Sequence, residues 1–381
     1  MKLFSRKRKT LVSIVGTLLL SFLIVACGSS NTGGSGGNTP TTANGNGGKG
    51  CKKVGVSLPE TATSNRWDGF DRPLLEQMIP QMLPGATVDY ANAEGNPDTQ
   101  QTQTDAMLTK GDCILVVGAN DGIKAARIVA DAKADGVPVI AYDRLIQSND
   151  LAYYVSFDNV QVGKLQGTYI ANHYKSFVKS GVGKTVMIDG AMTDNNALLF
   201  AQGAHDILDP LYSSGVLKNV YEKFTPNWDN PTAQTEMEAA LTANSNNIQI
   251  AYVANDGMAT TVIAALKAQH LNGKVLVTGQ DATLTGLQNI LLGSQSMTVL
   301  KAYKLEAGAT ASLVAAISNG TSTSSLINGQ TANANKVNIP SVLETPVSID
   351  KTNVMDVINT GEVTLAQVCQ GLPSKAGGIC P

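Results

Sequence analysis

The sequence predicts an α/β protein of two similar lobes, each a doubly wound parallel sheet with helices on both faces. The first observation is a repeated phrase, which reads ILVVGANDG at Ile114–Gly122 and IAYVANDG at Ile250–Gly257. After each copy comes an alanine-rich stretch and then a second apolar run ending in Asp, at Val137–Asp143 and Val275–Asp281. The second observation is the alternation of apolar runs with helical stretches along most of the chain. A length of 381 residues also exceeds what one core usually holds.

Each lobe has its own series of predicted elements. The strands of the first series are Val54–Leu58, Thr87–Ala91, Ile114–Val117, Val137–Ala141 and Ala152–Ser156, and its helices are Trp67–Met82, Thr99–Thr109 and Gly122–Ala134. The strands of the second series are Thr185–Ile188, Val216–Phe224, Ile250–Ala254, Val275–Gly279 and Met297–Val299, and its helices are Asn195–Tyr212, Pro231–Ala243 and Met258–Gln269. We expect Pro80 and Pro84 to break the first helix.

The chain after the second series is less regular. A helix at Leu305–Ile317, a polar loop at Ser318–Asn335 and short strands at Val337–Ile339 and Val342–Glu344 are predicted. A late helix followed by strands indicates a return to the first lobe, and several crossings between the lobes would form a hinge.

The amino terminus has the pattern of an export signal. A basic cluster precedes the apolar run Leu11–Val25, which is shorter than the span of about 20 residues that a membrane helix needs. Ile24–Cys27 resembles a bacterial lipobox, which implies that residues 1–26 are removed and that Cys27 is lipidated. The alternative is an uncleaved membrane anchor, and both interpretations place the bulk of the chain outside the cytoplasm. Gly28–Gly50 has almost no apolar residues and is predicted to be a flexible tether from Cys27 onward.

Charge argues against a nucleic-acid partner. The formal net charge is −2, but the first 26 residues carry five basic and no acidic side chains. The remainder has 23 basic and 30 acidic residues. Because phosphate contacts require clustered Lys and Arg, an acidic body of this kind is a poor nucleic-acid binder.

Four further cysteines indicate disulfides, since the count is even and the protein is exported. Cys51 precedes the first predicted strand and Cys113 opens the third, and these strands are neighbours in a doubly wound sheet. We therefore predict the pairs Cys51–Cys113 and Cys369–Cys380. The spacings are not CxxC and the chain has three His, so a zinc or redox site is not expected.

One nucleotide-binding motif is only apparent. Gly183-Lys184-Thr185 matches the end of a P-loop, but the required first glycine would fall at Val178. A strand also follows the motif where a helix is required, so a tight turn is the better interpretation.

Polar and aromatic residues near strand ends define the candidate site. Trp67 and Trp228 are the two tryptophans, and each lies in a polar stretch that suits stacking on an amphipathic ligand, although a half-buried surface position is the alternative. Asp143-Arg144 follows a strand directly, and this pair can fix two adjacent hydroxyls or form a structural ion pair.

A second group of candidates carries amide and carboxylate groups, with one lysine. Its members are Asp194, Asn195, Asn196, Asn255, Asp256, Gln280, Asp281 and, after the last strand of the second series, Lys301. For most of them, helix capping is the alternative explanation. Taken together, the set suits a neutral polyhydroxy ligand, whereas a phosphate would require more basic residues and helix amino termini.

Eight segments of the chain form a distinctive set: NRWDGF (65–70), AYDRLI (141–146), YYVSFDNVQVGKLQG (153–167), TDNNALLFAQG (193–203), ALTANSNNI (240–248), VANDGMA (253–259), VTGQDATLTGLQNI (277–290) and IPSVLETP (339–346). Together they resemble the periplasmic D-xylose-binding proteins of bacteria, over about Lys53–Ile358. The resemblance implies a periplasmic-binding-protein type I fold, no cofactor and no enzymatic activity. It also implies a monomeric receptor that delivers a monosaccharide to the permease of an ABC importer.

The resemblance also implies a set of sugar-binding residues. They are Arg66, Trp67, Asp143, Arg144, Asn195 or Asn196, Trp228, Asn255, Asp281 and Lys301. The two indoles would flank a pyranose, the acidic and amide groups would share hydroxyl protons, and the basic groups would donate. Related receptors bind glucose, galactose or arabinose, and the small polar residues Thr63–Asn65 before Arg66 bear on that selectivity.

The resemblance further implies three crossings between the lobes, near Asp158, Lys301 and Pro340. The first lobe would then comprise residues 51–158 and 302–340, and the second 159–301 and 341–368. The cysteine-bearing tail, 369–381, departs from the family pattern, as do the lipobox and the tether.

Two other functions are compatible with parts of the sequence. A sensory receptor that reports a sugar to a kinase or chemoreceptor would have the same pocket. A secreted glycoside hydrolase would use Asp143 and Asp281 as its carboxylate pair. Arg144 argues against the hydrolase, because an adjacent cation lowers the pKa of a carboxyl that must act as a general acid.

Overall fold

The computed structural model describes residues 47–381. The predicted signal segment, Cys27 and the tether as far as residue 46 therefore lie outside the described residues. The strands are β1 (Lys53–Leu58), β2 (Thr87–Asn92), β3 (Ile114–Val117), β4 (Val139–Tyr142), β5 (Tyr153–Phe157), β6 (Gly183–Asp189), β7 (Leu217–Phe224), β8 (Ile250–Val253), β9 (Leu276–Val277), β10 (Met297–Leu300), β11 (Gly329–Ala332), β12 (Asn338–Glu344) and β13 (Val347–Asp350).

The helices alternate with these strands through most of the chain. They are α1 (Arg72–Met82), α2 (Pro97–Lys110), α3 (Ala126–Ala134), α4 (Asn159–Phe177), α5 (Asn195–Ser213), α6 (Asn230–Ala243), α7 (Asp256–Ala268), α8 (Leu284–Leu291), α9 (Tyr303–Asn319), α10 (Val354–Thr360) and α11 (Leu365–Cys369). A π-helical turn, Trp67–Asp71, leads into α1. In the range that the structure describes, no helix is long and apolar enough to cross a membrane.

The first lobe is built on a seven-stranded sheet in the order β11-β12-β5-β4-β3-β1-β2. All neighbouring strands run parallel except β11, which is antiparallel to β12. One hydrophobic cluster joins α1 and α9 to one face of the sheet, and a second joins α2 and α3 to the other. The four residues of β3 are all buried, as expected for a central strand covered on both faces.

The second lobe has a four-stranded parallel sheet in the order β7-β6-β8-β9 and an antiparallel pair, β10 and β13. Its helices α4 and α5 approach each other backbone to backbone. A Cβ on Gly163 would lie 1.9 Å from the carbonyl oxygen of Phe200, and one on Gly203 would lie 2.0 Å from that of Val160. Only glycine permits this approach. The predicted pair of doubly wound parallel lobes is confirmed.

The repeated phrase corresponds to the same unit in both lobes. In the first copy β3 and β4 are parallel neighbours on either side of α3, and in the second β8 and β9 flank α7 in the same way. The terminal residues of the two units, Asp143 and Asp281, both have left-handed backbones, with φ of 58° and 97°. This conformation is uncommon outside glycine, so both aspartates are held by their surroundings.

The return of the chain to the second lobe differs from the prediction. The expected crossing near Pro340 is wrong, because Ser341–Glu344 pair with β5 and the crossing falls at Thr345-Pro346. Pro340 has no backbone N–H, but β12 continues through it because the strand pairs with β5 on one side and with β11 on the other. The two predicted strands at Val337–Ile339 and Val342–Glu344 are thus one strand, and the predicted loop at Ser318–Asn335 contains β11.

The helix predictions also require correction. Pro80 lies inside α1 and does not break it, because its missing N–H removes a single backbone hydrogen bond. The helix ends at Met82, two residues before Pro84. The long helix α4 and the short helix α8 were not predicted. The strand Val275–Gly279 is reduced to Leu276–Val277, since the following residues form a loop beside Asp256.

The cysteine-bearing tail packs on the second lobe. The structure has both predicted disulfides, Cys51–Cys113 and Cys369–Cys380. Cys380 belongs to a buried cluster that includes Leu287 and Leu291 of α8. The tail therefore covers α8 and forms part of this lobe.

Candidate functional site

The pocket lies between the two lobes, at the carboxyl ends of their strands. The space between and in front of its side chains, part of it open to solvent, measures about 360 Å³. It is lined by Thr63, Ser64, Arg66, Trp67, Asp143, Arg144, Asp194, Asn196, Phe200, Trp228, Asn255, Gln280, Asp281 and Lys301. Nine of the ten predicted site residues thus come together in one place.

Lys301 connects the two aspartates that end the repeated units. Its Nζ lies 3.2 Å from Asp143 Oδ2 in the first lobe and 3.8 Å from Asp281 Oδ1 in the second. Lys301 follows β10 directly, where the chain crosses back to the first lobe. One buried ammonium therefore holds equivalent carboxylates of both lobes at the hinge.

These aspartates differ in their charge environment. Burial by itself would raise the pKa of Asp143, but the positive charges of Arg66, Lys301 and Arg144 outweigh it and hold that pKa below its ordinary range. For Asp281, burial outweighs the effect of Lys301 and raises the pKa. Asp143 is thus a permanently ionised acceptor and a poor general acid.

Arg66 is largely occupied by carboxylates of its own lobe. Its Nε and Nη2 donate to Asp71 at 2.8 and 3.0 Å, Nη2 also donates to Glu306 at 2.9 Å, and Nη1 donates to Asp143 at 2.8 Å. A guanidinium has five N–H donors, so four are used within the protein. One N–H of Arg66 is therefore left to donate to a ligand. The main effect of Arg66 on the site is to orient Asp143.

The helix start at residues 194–196 joins the two lobes. Asp194 accepts from the backbone N–H of Asn196 at 3.0 Å, which is the predicted capping contact, and also pairs with Arg144 Nε at 3.1 Å. Asn196 Nδ2 donates to the carbonyl and the side chain of Asp143 at 2.9 and 3.1 Å. Asn195 does not line the pocket. Its Oδ1 lies 3.4 Å from Nε2 of Gln147, whereas the next residue of α5, Asn196, faces the pocket.

The two tryptophans occupy different environments. Trp67 donates from Nε1 to Glu60 at 3.1 Å, and the guanidiniums of Arg66 and Arg144 lie 4.3 and 5.1 Å from its ring centroids. Trp228 packs edge-on against Phe200, with ring centroids 6.4 Å apart. Trp67 is thus fixed by the protein, whereas Trp228 has its polar group free for a ligand.

Two buried polar atoms at the pocket lack a hydrogen-bond partner within residues 47–381. They are Nε1 of Trp228, a donor, and Oδ1 of Asp281, an acceptor. Buried polar groups are normally paired, so an unpaired donor and acceptor beside one cavity indicate a ligand with hydroxyl groups. Asn255 caps α7 through Oδ1, at 2.9 Å from the N–H of Met258, which leaves its Nδ2 group for the pocket.

Sequence reasoning missed Phe200 altogether, since a phenylalanine in an apolar helix carries no signal of a site. Asp194 and Gln280 were considered mainly as caps or strand ends, and Thr63 and Ser64 only as modifiers of selectivity. Among the described residues, no group of three or more His, Cys, Asp or Glu side chains is placed to hold a metal ion.

The fold and the interlobe pocket define a two-lobe solute-binding protein, and comparison with known proteins agrees. Residues 55–322 match the periplasmic binding protein domain. The chain belongs to this family of solute-binding proteins, which are not enzymes.

Individual relatives give finer similarity. The chain is 35% identical to the D-xylose-binding periplasmic protein of Escherichia coli over 306 residues, which is 80% of this chain and 89% of that one. An ABC transporter solute-binding protein of Clostridium phytofermentans with bound β-D-glucose is 32% identical, with a TM-score of 0.74 over 83% of this chain and 100% of that one. A carbohydrate transporter solute-binding protein of Chloroflexus aurantiacus in complex with D-glucose is 29% identical, with a TM-score of 0.73 over 82% and 97% of the two chains.

Proposed function

We propose that this protein binds a monosaccharide, with D-xylose the first candidate, between its lobes and delivers it to the permease of an ABC importer. The observation that carries the proposal is the pocket itself, which combines buried carboxylates and amides from both lobes with an indole whose N–H is unpaired. The names of the relatives support a sugar, and both D-xylose and D-glucose occur among them.

The charge balance of the pocket favours a neutral ligand. Its three cations, Arg66, Arg144 and Lys301, each lie within 3.2 Å of a carboxylate of the protein. An anionic ligand such as a phosphate would have to compete with those carboxylates. A sugar needs no net charge from the protein and uses the same groups as hydrogen-bond donors and acceptors.

Closure of the lobes follows from where these groups come from. Asp143 and Arg144 belong to the first lobe, and Asn196, Trp228 and Asp281 to the second. A ligand that touches both sets is held by all of them only when the lobes are together, so its binding stabilises the closed arrangement. The direct contacts of Asn196 with Asp143 and of Arg144 with Asp194 show that the two lobes already meet in this structure.

Anchoring through a lipid on Cys27 is the second part of the proposal. The described chain enters the first lobe at Gly47–Gly50, where Gly50 donates to the carbonyl of Ser318 at the end of α9. A Cβ on Gly48 would touch Ile114 at the start of β3, so this entry lies at the amino ends of the strands. The cleft lies at their carboxyl ends, so the first described residues enter the first lobe at the edge opposite the cleft. Incorporation of labelled palmitate that is lost in Cys27→Ser tests the anchor.

Intrinsic fluorescence tests the ligand directly, since the chain has two tryptophans and both line the pocket. Titration with D-xylose should give a saturable change in emission. Trp67→Phe should retain most of that change and Trp228→Phe should lose it. The proposal would be contradicted if D-xylose, D-glucose, D-galactose, L-arabinose and D-ribose all failed to give a saturable change in emission.

A further inference from the structure

We propose that Asp256, which does not line the pocket, is a positioning residue that holds the ligand-facing loop Gln280–Thr283 in its binding conformation. This inference rests on the proposed sugar site. It identifies the residue that determines the shape of the part of that site contributed by the second lobe. Asp256 is the aspartate of the second ANDG phrase and is fully buried. Its position at the start of α7 places it behind the loop that carries Gln280 and Asp281.

The carboxylate of Asp256 receives four hydrogen bonds. Oδ1 accepts from Gln295 Nε2 at 2.7 Å and from Thr298 Oγ1 at 2.9 Å. Oδ2 accepts from the backbone N–H of Thr283 at 2.8 Å and from its Oγ1 at 3.2 Å. The backbone N–H of Asp256 donates to the carbonyl of Gln280 at 2.9 Å. One residue therefore holds both ends of the loop.

The loop between those two ends has an unfavourable backbone. Asp281 and Ala282 both have positive φ, 97° and 49°, which non-glycine residues rarely adopt. Such a conformation costs about 1–3 kcal/mol per residue and persists only where contacts enforce it. Thr298 supplies one such contact, because its hydroxyl accepts from the N–H of Ala282 at 3.2 Å while donating to Asp256.

Two glycines make room for this carboxylate. A Cβ on Gly279 would lie 2.2 Å from Asp256 Oδ1, and a Cβ on Gly286 would lie 2.2 Å from Oδ2. Both glycines have negative φ, which any residue can adopt. Glycine is therefore required at these positions because a side chain would not fit, and not because of the backbone conformation. The backbone on either side of the loop thus closes directly on Asp256.

The first copy of the phrase provides the comparison. Its aspartate, Asp121, accepts only from the backbone N–H groups of Ile123 and Lys124, at 2.9 and 3.0 Å, and is partly exposed. Asp121 is therefore a local cap whose side chain makes no hydrogen bond to the loop that carries Asp143. The equivalent aspartates of the two repeats thus differ. Asp121 caps its own helix, whereas Asp256 binds residues that are distant in the chain.

Asp256→Asn is the direct test. An amide places N–H against a donor whichever way it is oriented, because Thr283 N–H lies on one oxygen and Gln295 Nε2 on the other. We expect the dissociation constant for the better bound of D-xylose and D-glucose to rise at least tenfold. Asp121→Asn is the matched control, since asparagine caps as well as aspartate, and it should remain within twofold of the wild type.

The same substitution made in an Asp281→Asn protein distinguishes a positioning role of Asp256 from general destabilisation of the fold. If Asp256 acts through the loop, Asp256→Asn should change affinity by less than twofold in a protein that already carries Asp281→Asn. Should Asp256→Asn fail to fold, Gly286→Ala displaces the same carboxylate while favouring the helix, and the same loss is expected. An unchanged dissociation constant in Asp256→Asn, or an equal loss in both backgrounds, would overturn the inference. Failure of the wild type to bind any sugar would overturn the proposed function and this inference with it.

Discussion

Gly190→Ala is the sharpest steric test of the pocket. Gly190 follows β6, and its backbone lies against the six-membered ring of Trp228. An added Cβ would lie 2.1, 2.2 and 2.4 Å from Cη2, Cζ2 and Cζ3 of that ring. Since carbon atoms pack at about 3.5–4.0 Å, the indole must move by roughly 1.5 Å.

The displacement predicts two separate effects. Overpacking of this kind costs about 1–3 kcal/mol of folding free energy. A misplaced indole also loses its contact with the ligand, so we expect sugar affinity to fall at least tenfold, equivalent to about 1.4 kcal/mol. Calorimetric titration measures the affinity and urea unfolding measures the stability.

Gly308→Ala provides the control, because a Cβ there meets only the flexible end of Met78, at 3.0 Å, in a helix of the first lobe. Its affinity should match the wild type. A dissociation constant within twofold of the wild type in Gly190→Ala would refute the placement of Trp228 in the pocket.

Three further predictions concern charge and cysteines. Asp281→Ala should abolish binding, because it removes a buried acceptor of the pocket that has no hydrogen-bond partner in the protein, and retained micromolar affinity would contradict that role. Burial, with Glu222 nearby, raises the pKa of Asp189 to about 8. The folded protein therefore keeps a proton that the unfolded chain has lost, and this group alone should lower the free energy of unfolding by about 1.4 kcal/mol per pH unit from roughly pH 5 to pH 8. Asp189→Asn should make the fall measured by urea unfolding less steep by that amount, and an unchanged slope would contradict the assignment. Thiol labelling of the unreduced, denatured protein should find Cys51, Cys113, Cys369 and Cys380 unreactive, and a reactive Cys113 would contradict its pairing.

The sequence predicted the two lobes because it contains one unit twice. Residues at the carboxyl ends of parallel strands lie at one edge of their sheet, and this is why Asp143 and Asp281, each after an apolar run, were predicted to face the cleft from the two lobes. The first disulfide followed from the same logic, since neighbouring strands bring Cys51 and Cys113 together.

The remaining details depend on geometry that the sequence does not carry. Asn195 and Asn196 are adjacent residues of the same type, and only the rotation of α5 decides that Asn196 faces the pocket. Phe200 lies there because Gly163 lets α4 press against its backbone, a contact between residues far apart in the chain. The heavy use of Arg66 by Asp71 and Glu306 is likewise a long-range arrangement, with 240 residues separating Arg66 from Glu306.

The central claim is that the interlobe pocket binds a monosaccharide, and isothermal titration calorimetry of the purified protein tests it most directly. The titrants are D-xylose, D-glucose, D-galactose, L-arabinose and D-ribose. The account predicts one-to-one binding of at least one of them at micromolar concentration or below, with D-xylose the first candidate, and loss of that binding in Asp281→Ala. Absence of binding to all five sugars would contradict it.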